Sequence, residues 1–278
     1  MAKVRRVRQA EPNDRPASLT LDLFAPGMTL LHRAGLGGLA CTLRFVERAH
    51  DSGQLRAEEL PGGPWREGPP WEVTSRAVRL DFGEPSHASE YLNRLFTTAF
   101  RIADHLIDLP GQYETRPALA VRAELQAGLL LTFLQHGRVR DLASQANTME
   151  YDAQGDGRTL IRTGYRECSW YKHQNGGDDL ADQHGLARGT VEVVGPLNPG
   201  AVVRHNAFAS VTKIEETADR LICLYFALVG CLTLAVNRGV GVLLVPEVND
   251  LVRFCRVRPF LTPTTARQCR VTSGVSNK

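Results

Sequence analysis

The 278-residue chain is 43% apolar and 23% charged, with a net charge of +3. That is the balance of a folded globular protein, and it excludes a disordered, collagenous or membrane-embedded chain. Ten of the 33 basic residues fall in Met1–Gln9 and Leu251–Lys278, which hold no acid, leaving 23 cations against 30 acids in between. Basic ends suit phosphate-seeking arms or solubilising tails equally well. The six cysteines form no C-x-x-C pair and no metal-ligand spacing, and the basic first residues lead into no apolar stretch. Both features point to reduced thiols in the cytoplasm, without a leader sequence.

Ser18 to Phe24 alternates apolar and polar residues and predicts a strand, closed by Ala25-Pro26-Gly27. From Met28 to Val46, Leu31, Ala34, Leu36, Leu39, Ala40, Leu43 and Val46 form a helical stripe. Gly35, Gly37 and Gly38 would each weaken an isolated helix by about 1 kcal/mol relative to alanine, so this helix is expected to let another backbone come close. His50 to Trp71 reads as a loop, and Trp71 to Phe82 as a strand or hairpin arm. Ser86 offers an N-cap for a helix over Ala88 to Leu109, ended by Pro110-Gly111. Pro117 to His136 predicts another helix, and Asn147 to Asn198 a polar strand-and-loop region. The uncharged run Leu221 to Val236 is shorter than the roughly 20 residues a membrane span needs and reads as a buried helix. Val240 to Val248 reads as a buried strand. This order predicts an α+β fold, with mixed strands and helices around a buried apolar helix.

Gly35-Leu36-Gly37-Gly38-Leu39-Ala40 matches the G-x-G-x-x-A form of the dinucleotide fingerprint. That chemistry needs the glycines directly after a strand, opening a helix, so that free N–H groups meet pyrophosphate. Here the helical pattern begins earlier, and close packing is the competing reading. His32 and Arg33, at the start of that helix, suit either a phosphate contact or an ordinary surface pair. Arg158 to Gln174 interleaves Arg162, Arg166, Lys172 and His173 with Tyr165, Trp170 and Tyr171. Cations meet phosphates and aromatic faces stack bases, although aromatic cross-strand pairs explain the same mixture. Arg204, His205, Asn206 and Lys213 form a polar segment able to read base edges, or a plain loop ahead of the buried helix. No G-x-S-x-G, H-E-x-x-H or G-x-x-x-x-G-K-[ST] occurs, so the sequence offers no catalytic constellation, cofactor or metal site.

Five longer segments occur in order: LFAPGMTLLHRAGLGGLACTL (Leu23 to Leu43), LPGQYETRPALAVRAELQAGLLLTFLQHG (Leu109 to Gly137), CSWYKHQ (Cys168 to Gln174), GPLNPGAVVRHNAF (Gly195 to Phe208) and FALVGCLTLAVNRGVGVLLVPEVNDL (Phe226 to Leu251). Together they resemble the N-terminal part of the large subunit of the CRISPR type I Cascade complex, Myxococcus subtype. The resemblance spans roughly Leu21 to Pro263. It implies a non-catalytic, I-A/I-B-like subunit that recognises the PAM, binds target double-stranded DNA and contacts the crRNA 5′ end. The implied partners are the crRNA, the target DNA, the Cascade backbone subunits and a recruited helicase-nuclease, with no membrane. Family members continue into a C-terminal helical region, whereas the resemblance here stops near RPFLTP, so functions placed beyond it stay open. The domain expectation is a basic arm over 1–20, an α+β domain over 21–263 with a change of character near 145, and an irregular tail over 264–278. Two alternatives stand beside it: a small-ligand or NAD(P)-linked enzyme using Gly35 to Ala40, and a purely architectural subunit.

Overall fold

A computed structural model describes residues 15–152, 157, 160–195, 213–236 and 239–271. Strand β1 (Ser18–Asp22) leads into the long helix α1 (Leu30–Asp51), and β2 (Trp71–Val73) and β3 (Ala77–Asp81) follow a Gly/Pro-rich loop. Next come α2 (Ala88–Ala99), the hairpin β4 (Arg101–Ala103) and β5 (Leu106–Asp108), α3 (Leu119–Leu131), and four short strands: β6 (Arg140–Leu142), β7 (Asn147–Asp152), β8 (Leu160–Tyr165) and β9 (Cys168–Tyr171). The single turn α4 (Gly176–Leu180) precedes β10 (Ala181–Asp182), β11 (Gly185–Leu186), β12 (Thr190–Val194) and β13 (Lys213–Thr217). Helix α5 (Ala218–Gly230) is followed by β14 (Leu232–Val236), β15 (Val240–Leu244), α6 (Leu251–Leu261), a four-residue helical turn Ala266–Cys269 and β16 (Arg270–Val271). The fold is α+β. Its strands form small sheets, β1-β3-β2 and β15-β14-β16 with three strands each and the others with two, and β14 and β16 run parallel.

Helix α1 begins at Thr29, whose hydroxyl accepts the His32 backbone N–H while His32 Nδ1 accepts the Thr29 N–H. These bonds satisfy two of the donors a helix start leaves free. The glycines then lie inside the helix. A Cβ on Gly35 would overlap the carbonyl oxygen of Cys223, and one on Gly38 that of Phe226. Reciprocally, a Cβ on Gly230 would overlap the carbonyl of Ala34. Helices α1 and α5 therefore touch backbone to backbone. The glycines lie past the start of α1, where their N–H groups serve the helix rather than open it, and the close-packing reading holds. Gly37 faces elsewhere and admits the Phe254 ring of α6.

Helix α5 ends where its carbonyls are claimed from outside. Gln112 Nε2 donates to Leu228 O (2.9 Å), while Arg258 donates from Nε to Val229 O (2.9 Å) and from Nη2 to Cys231 O (2.9 Å). Arg258 is 2% exposed, and burial lowers its pKa to about 10. The apolar run expected to be one helix therefore divides into α5 and β14 at Cys231.

Three other boundaries differ from expectation. The helix from Ala88 stops at Ala99 because Asp104 (φ 53°) and His105 (φ 60°) take left-handed conformations and turn the chain into the β4–β5 hairpin. Asp tolerates that conformation better than most residues. The first turn before this helix is the 3₁₀ segment Pro85–His87, so Ser86 is not its cap. Finally, β15 is an edge strand, with Val240 and Leu244 more than half exposed, rather than a buried one. Among the described residues, no helix is long and apolar enough to cross a membrane.

Rings fill the space between α2, β9 and α5. His173, 1% exposed, lies 5.3 Å from Phe100, 5.9 Å from Tyr171 and 5.4 Å from Tyr225 by ring centroids. Burial pushes its pKa down to about 3, with a further push from neighbouring Lys172.

Two outcomes follow from this packing. Helix propensity alone would make Gly35→Ala stabilising by about 1 kcal/mol. The overlap with Cys223 reverses the sign, and chemical denaturation should show a loss of about 2 kcal/mol or more. Gly137→Ala, with open space around Gly137, should stay within about 0.5 kcal/mol; equal effects at the two positions would contradict the helix contact. The second outcome concerns pH. Unfolded His173 protonates near 6.5 and the folded ring only near 3, so between those limits the unfolded chain binds the extra proton. Stability therefore falls as pH drops through that window. Lowering pH from 7 to 5 should cost the wild type about 2 kcal/mol more than His173→Phe, and parallel urea midpoints for the two proteins would contradict it.

Candidate nucleic-acid interface

The sequence-predicted cationic residues fall into four groups once the chain is folded. Arg162 and Arg166 remain exposed. The β7–β8 hairpin pairs Glu150 with Arg162 and Asn147 with Tyr165. Its inner row rests on α3, where Tyr151 and Thr163 hydroxyls both donate to Glu124 Oε1 (3.2 and 3.0 Å). With Tyr151 and Thr163 turned inward, strand alternation sends Arg162 outward. Gln126 of α3 fixes the end of the strand, accepting the Ile107 N–H (3.0 Å) and donating to the Arg166 carbonyl (2.6 Å). Arg162 reaches only the Thr148 hydroxyl (3.4 Å). Glu150 lies opposite Arg162 in the ladder without a close ion pair to it.

Trp170 lies half-buried on β9, opposite Asp141, with its indole N–H directed at Asn175 Oδ1 (3.4 Å). Beside it, Arg140 of β6 pairs with Tyr171. Burial lowers the pKa of Arg140, and the nearby Arg166 guanidinium lowers it further. Arg140 also donates from Nη2 to the Gln135 carbonyl (3.2 Å). Sequence reading missed Arg140 because His136-Gly137-Arg138-Val139-Arg140 looked like the end of a helix. Its signal was the cation–apolar–cation alternation around buried Val139.

A second group carries charge already neutralised. Lys172 Nζ lies 2.8 and 3.0 Å from the two oxygens of Asp179, which also accepts the Tyr225 hydroxyl. Lys213 pairs with Glu192 across the β12–β13 ladder. Such pairs tie elements together and offer little field to a phosphate.

The third group is internal. His173 sits in the ring cluster and cannot reach a phosphate from there, which corrects its place among the surface cations. His32 is a helix cap. Its pKa is lowered chiefly by burial, against the Glu216 carboxylate 3.9 Å from Nε2. It is therefore held neutral and structural rather than cationic. Arg33, by contrast, is half-buried and donates to Asn249 Oδ1 (3.3 Å), with its guanidinium 5.7 Å from the centre of the Phe24 ring. Arg76 also lies 5.5 Å from the centre of the same ring.

The fourth group, Arg204, His205 and Asn206, lies outside the described residues. The surviving set is Arg162, Arg166 and Trp170, joined by Arg140, with Arg33 at a separate place on α1. Among the described residues, no three His, Cys, Asp or Glu side chains group so as to hold a metal ion.

Comparison with known proteins places this arrangement in a lineage. A family model described as the DevT N-terminal domain matches residues 20–225. CRISPR-associated protein Cas8a1/Csx13 of Myxococcus xanthus (strain DK1622) is 36% identical over 279 aligned residues, covering 94% of this chain and 44% of the relative. The chain thus spans less than half the length of that curated protein. The matched region takes in α1, the β7–β8 hairpin, β9 and most of α5, so the outward arginines and the Gly35–Cys223 approach fall within it, while Phe226 and Gly230 lie just past its end. The chain belongs to the DevT N-terminal domain family.

Proposed function

We propose that this chain is the N-terminal part of a non-catalytic large subunit of a CRISPR type I surveillance complex, I-A/I-B-like, acting in the cytoplasm. The observation that carries this reading is the 36% identity over nearly the whole chain to a CRISPR-associated Cas8a1/Csx13 protein. In this reading its partners are the crRNA, the target double-stranded DNA, the Cascade backbone subunits and a recruited helicase-nuclease. Its work is PAM recognition, target DNA binding and contact with the crRNA 5′ end. Guide base pairing reads the sequence, while protein side chains hold backbones and the short PAM duplex.

The outward row of Arg162 and Arg166, with Arg140 alongside and Trp170 nearby, supports a nucleic-acid contact at β6, β8 and β9. Three guanidiniums offer bidentate partners to phosphate, and an indole offers a stacking face. Two like charges side by side destabilise a protein on its own, and a phosphate between them relieves the repulsion. Arg33 is a further candidate contact on α1.

The test is equilibrium binding of labelled guide RNA and PAM-bearing duplex, to the purified chain and to the reconstituted complex, across a salt series. Affinity should fall steeply with salt. Arg162→Ala with Arg166→Ala should flatten the log–log slope by about 1 to 2, one unit per lost phosphate contact. Lys172→Ala should leave the slope unchanged and lower the melting temperature, because it breaks the Asp179 link. Salt-independent affinity, or a slope that responds to Lys172 and not to the two arginines, would overturn the assignment of this surface.

A further inference from the structure

All six cysteines are buried, and two of them meet at the α1–α6 contact. Gly37 admits Phe254, and one helical turn on, Cys41 meets Cys255, the sulfurs 3.7 Å apart. The sulfurs line a cleft of about 450 Å³ between α1 and α6 that also holds Arg44, Arg48 and Arg256. These two face a solvent cleft rimmed by guanidiniums, with Arg258 beneath them.

We propose that Cys41 and Cys255 form a peroxide-responsive dithiol whose oxidation covalently ties α6 to α1. The roles of the two sulfurs differ. Cys41 donates its S–H to the Cys255 sulfur. That bond holds the Cys255 thiol below the ordinary range against the opposing effect of burial, with Arg44 and Arg48 adding to the lowering and Glu47 opposing it. Glu47 accepts the Trp71 indole N–H at 2.8 Å, and Glu114 lies 3.7 Å from Arg48, so both carboxylates in the cleft are engaged. Burial pushes the Cys41 thiol up. Cys255 is therefore the nucleophile and Cys41 the resolving thiol, the division seen wherever thiolate character decides which sulfur reacts first.

The oxidant is a hydroperoxide, hydrogen peroxide being the simplest. The Cys255 thiolate attacks one peroxide oxygen and the O–O bond breaks. The departing hydroxide takes up a proton to become water, leaving a sulfenic acid on Cys255. The Cys41 sulfur then attacks that sulfur, the S–O bond breaks, and the leaving hydroxide departs as water with the Cys41 proton. Two thiols and one peroxide thus give one disulfide and two waters. The sulfurs need only close from 3.7 Å to about 2.05 Å, a movement of under about 1 Å each. Helix α6 carries exposed Phe260, at 81% the most exposed large apolar side chain among the described residues. The tie would fix how that face is presented.

The test treats the reduced, full chain with stoichiometric hydrogen peroxide, followed by alkylation under denaturing conditions and peptide mass spectrometry. The expected product is a Cys41–Cys255 linked peptide, with Cys168, Cys223, Cys231 and Cys269 alkylated as free thiols. Cys41→Ser should instead leave a sulfenic acid on Cys255 that dimedone traps, and Cys255→Ser should leave Cys41 unreacted. Six alkylated cysteines after peroxide would overturn the proposal. So would a different cysteine pair in the cross-link, or dimedone trapping at Cys41 in Cys255→Ser.

Discussion

The contact between α1 and α5 organises this fold. It exists because Ala34, Gly35 and Gly38 on one helix meet Cys223, Phe226 and Gly230 on the other with no side chain between the backbones. Small residues spaced three and four apart put two helices closer than leucine or valine would allow, which gives dense dispersion contact along the seam. Glycines cost each helix conformational entropy, so the seam survives only because packing outweighs propensity. Since α1 comes early in the chain and α5 late, the buried core runs continuously from Leu21 to Cys255. The polar β7–β8 and β9 region is hung on the outside of that core rather than standing apart from it.

The seam sets a second constraint at its C-terminal end. Helix α5 must stop at Gly230, and the carbonyls freed there are buried, where an unsatisfied acceptor costs about 1 to 3 kcal/mol. Arg258 and Gln112 supply the donors. Arg258 Nη1 also donates to the Thr262 hydroxyl (2.7 Å), which donates to the Gln112 carbonyl (2.6 Å). One buried guanidinium thus joins α5, α6 and the turn before α3. A cation needs such a full set of partners to be kept inside. It follows that the basic C-terminal end is not uniformly a phosphate-seeking arm, because one of its charges is internal mortar.

Periodicity and turn residues carried the sequence reading of β1, α1 and a strand or hairpin arm over Trp71 to Phe82, because those signals are local. It also anticipated that the three glycines mark close packing. What it could not see was which side of a boundary a tertiary partner would enforce. Ala88 to Leu109 keeps an apolar pattern that suits a helix or a hairpin, and the left-handed turn at Asp104-His105 decides between them. Leu221 to Val236 is uniformly apolar, so nothing local marks Cys231 as its break; the claim of Arg258 on its carbonyls lies about 30 residues away (|i−j| = 27 and 29). The candidate interface was half legible. Arg162, Arg166 and Trp170 showed themselves by alternation, whereas the loss of Lys172 to Asp179 and of His173 to the ring cluster depends on contacts with α4 and α5. Arg140 was invisible until β6 paired with β9.

The net charge of +3 therefore says little about what this protein presents to a partner. Folding spends cations selectively. Arg258 and Arg122 are buried, the latter donating to the Ala103 carbonyl (2.8 Å) and to Asp104. Lys172 and Lys213 are matched to acids at short range. Each of those charges contributes to holding elements together, and each is screened from solution by its partner. Arg162 and Arg166 are different in that the hairpin resting on α3 positions them without a close ion pair, and β6 does the same for Arg140 through its pairing with β9. Glu124 and Gln126 anchor the strand through hydroxyl and backbone groups, while Arg162 donates only to the Thr148 hydroxyl (3.4 Å) and Arg140 to the Gln135 carbonyl (3.2 Å) among the described residues. Positioning by one set of groups and presentation by another is what lets a surface keep unpaired charge at defined spacing. In the proposed role, that separation allows the arginines to be exchanged for recognition without unfolding the hairpin, while the lysine beside them cannot be changed without loosening the core.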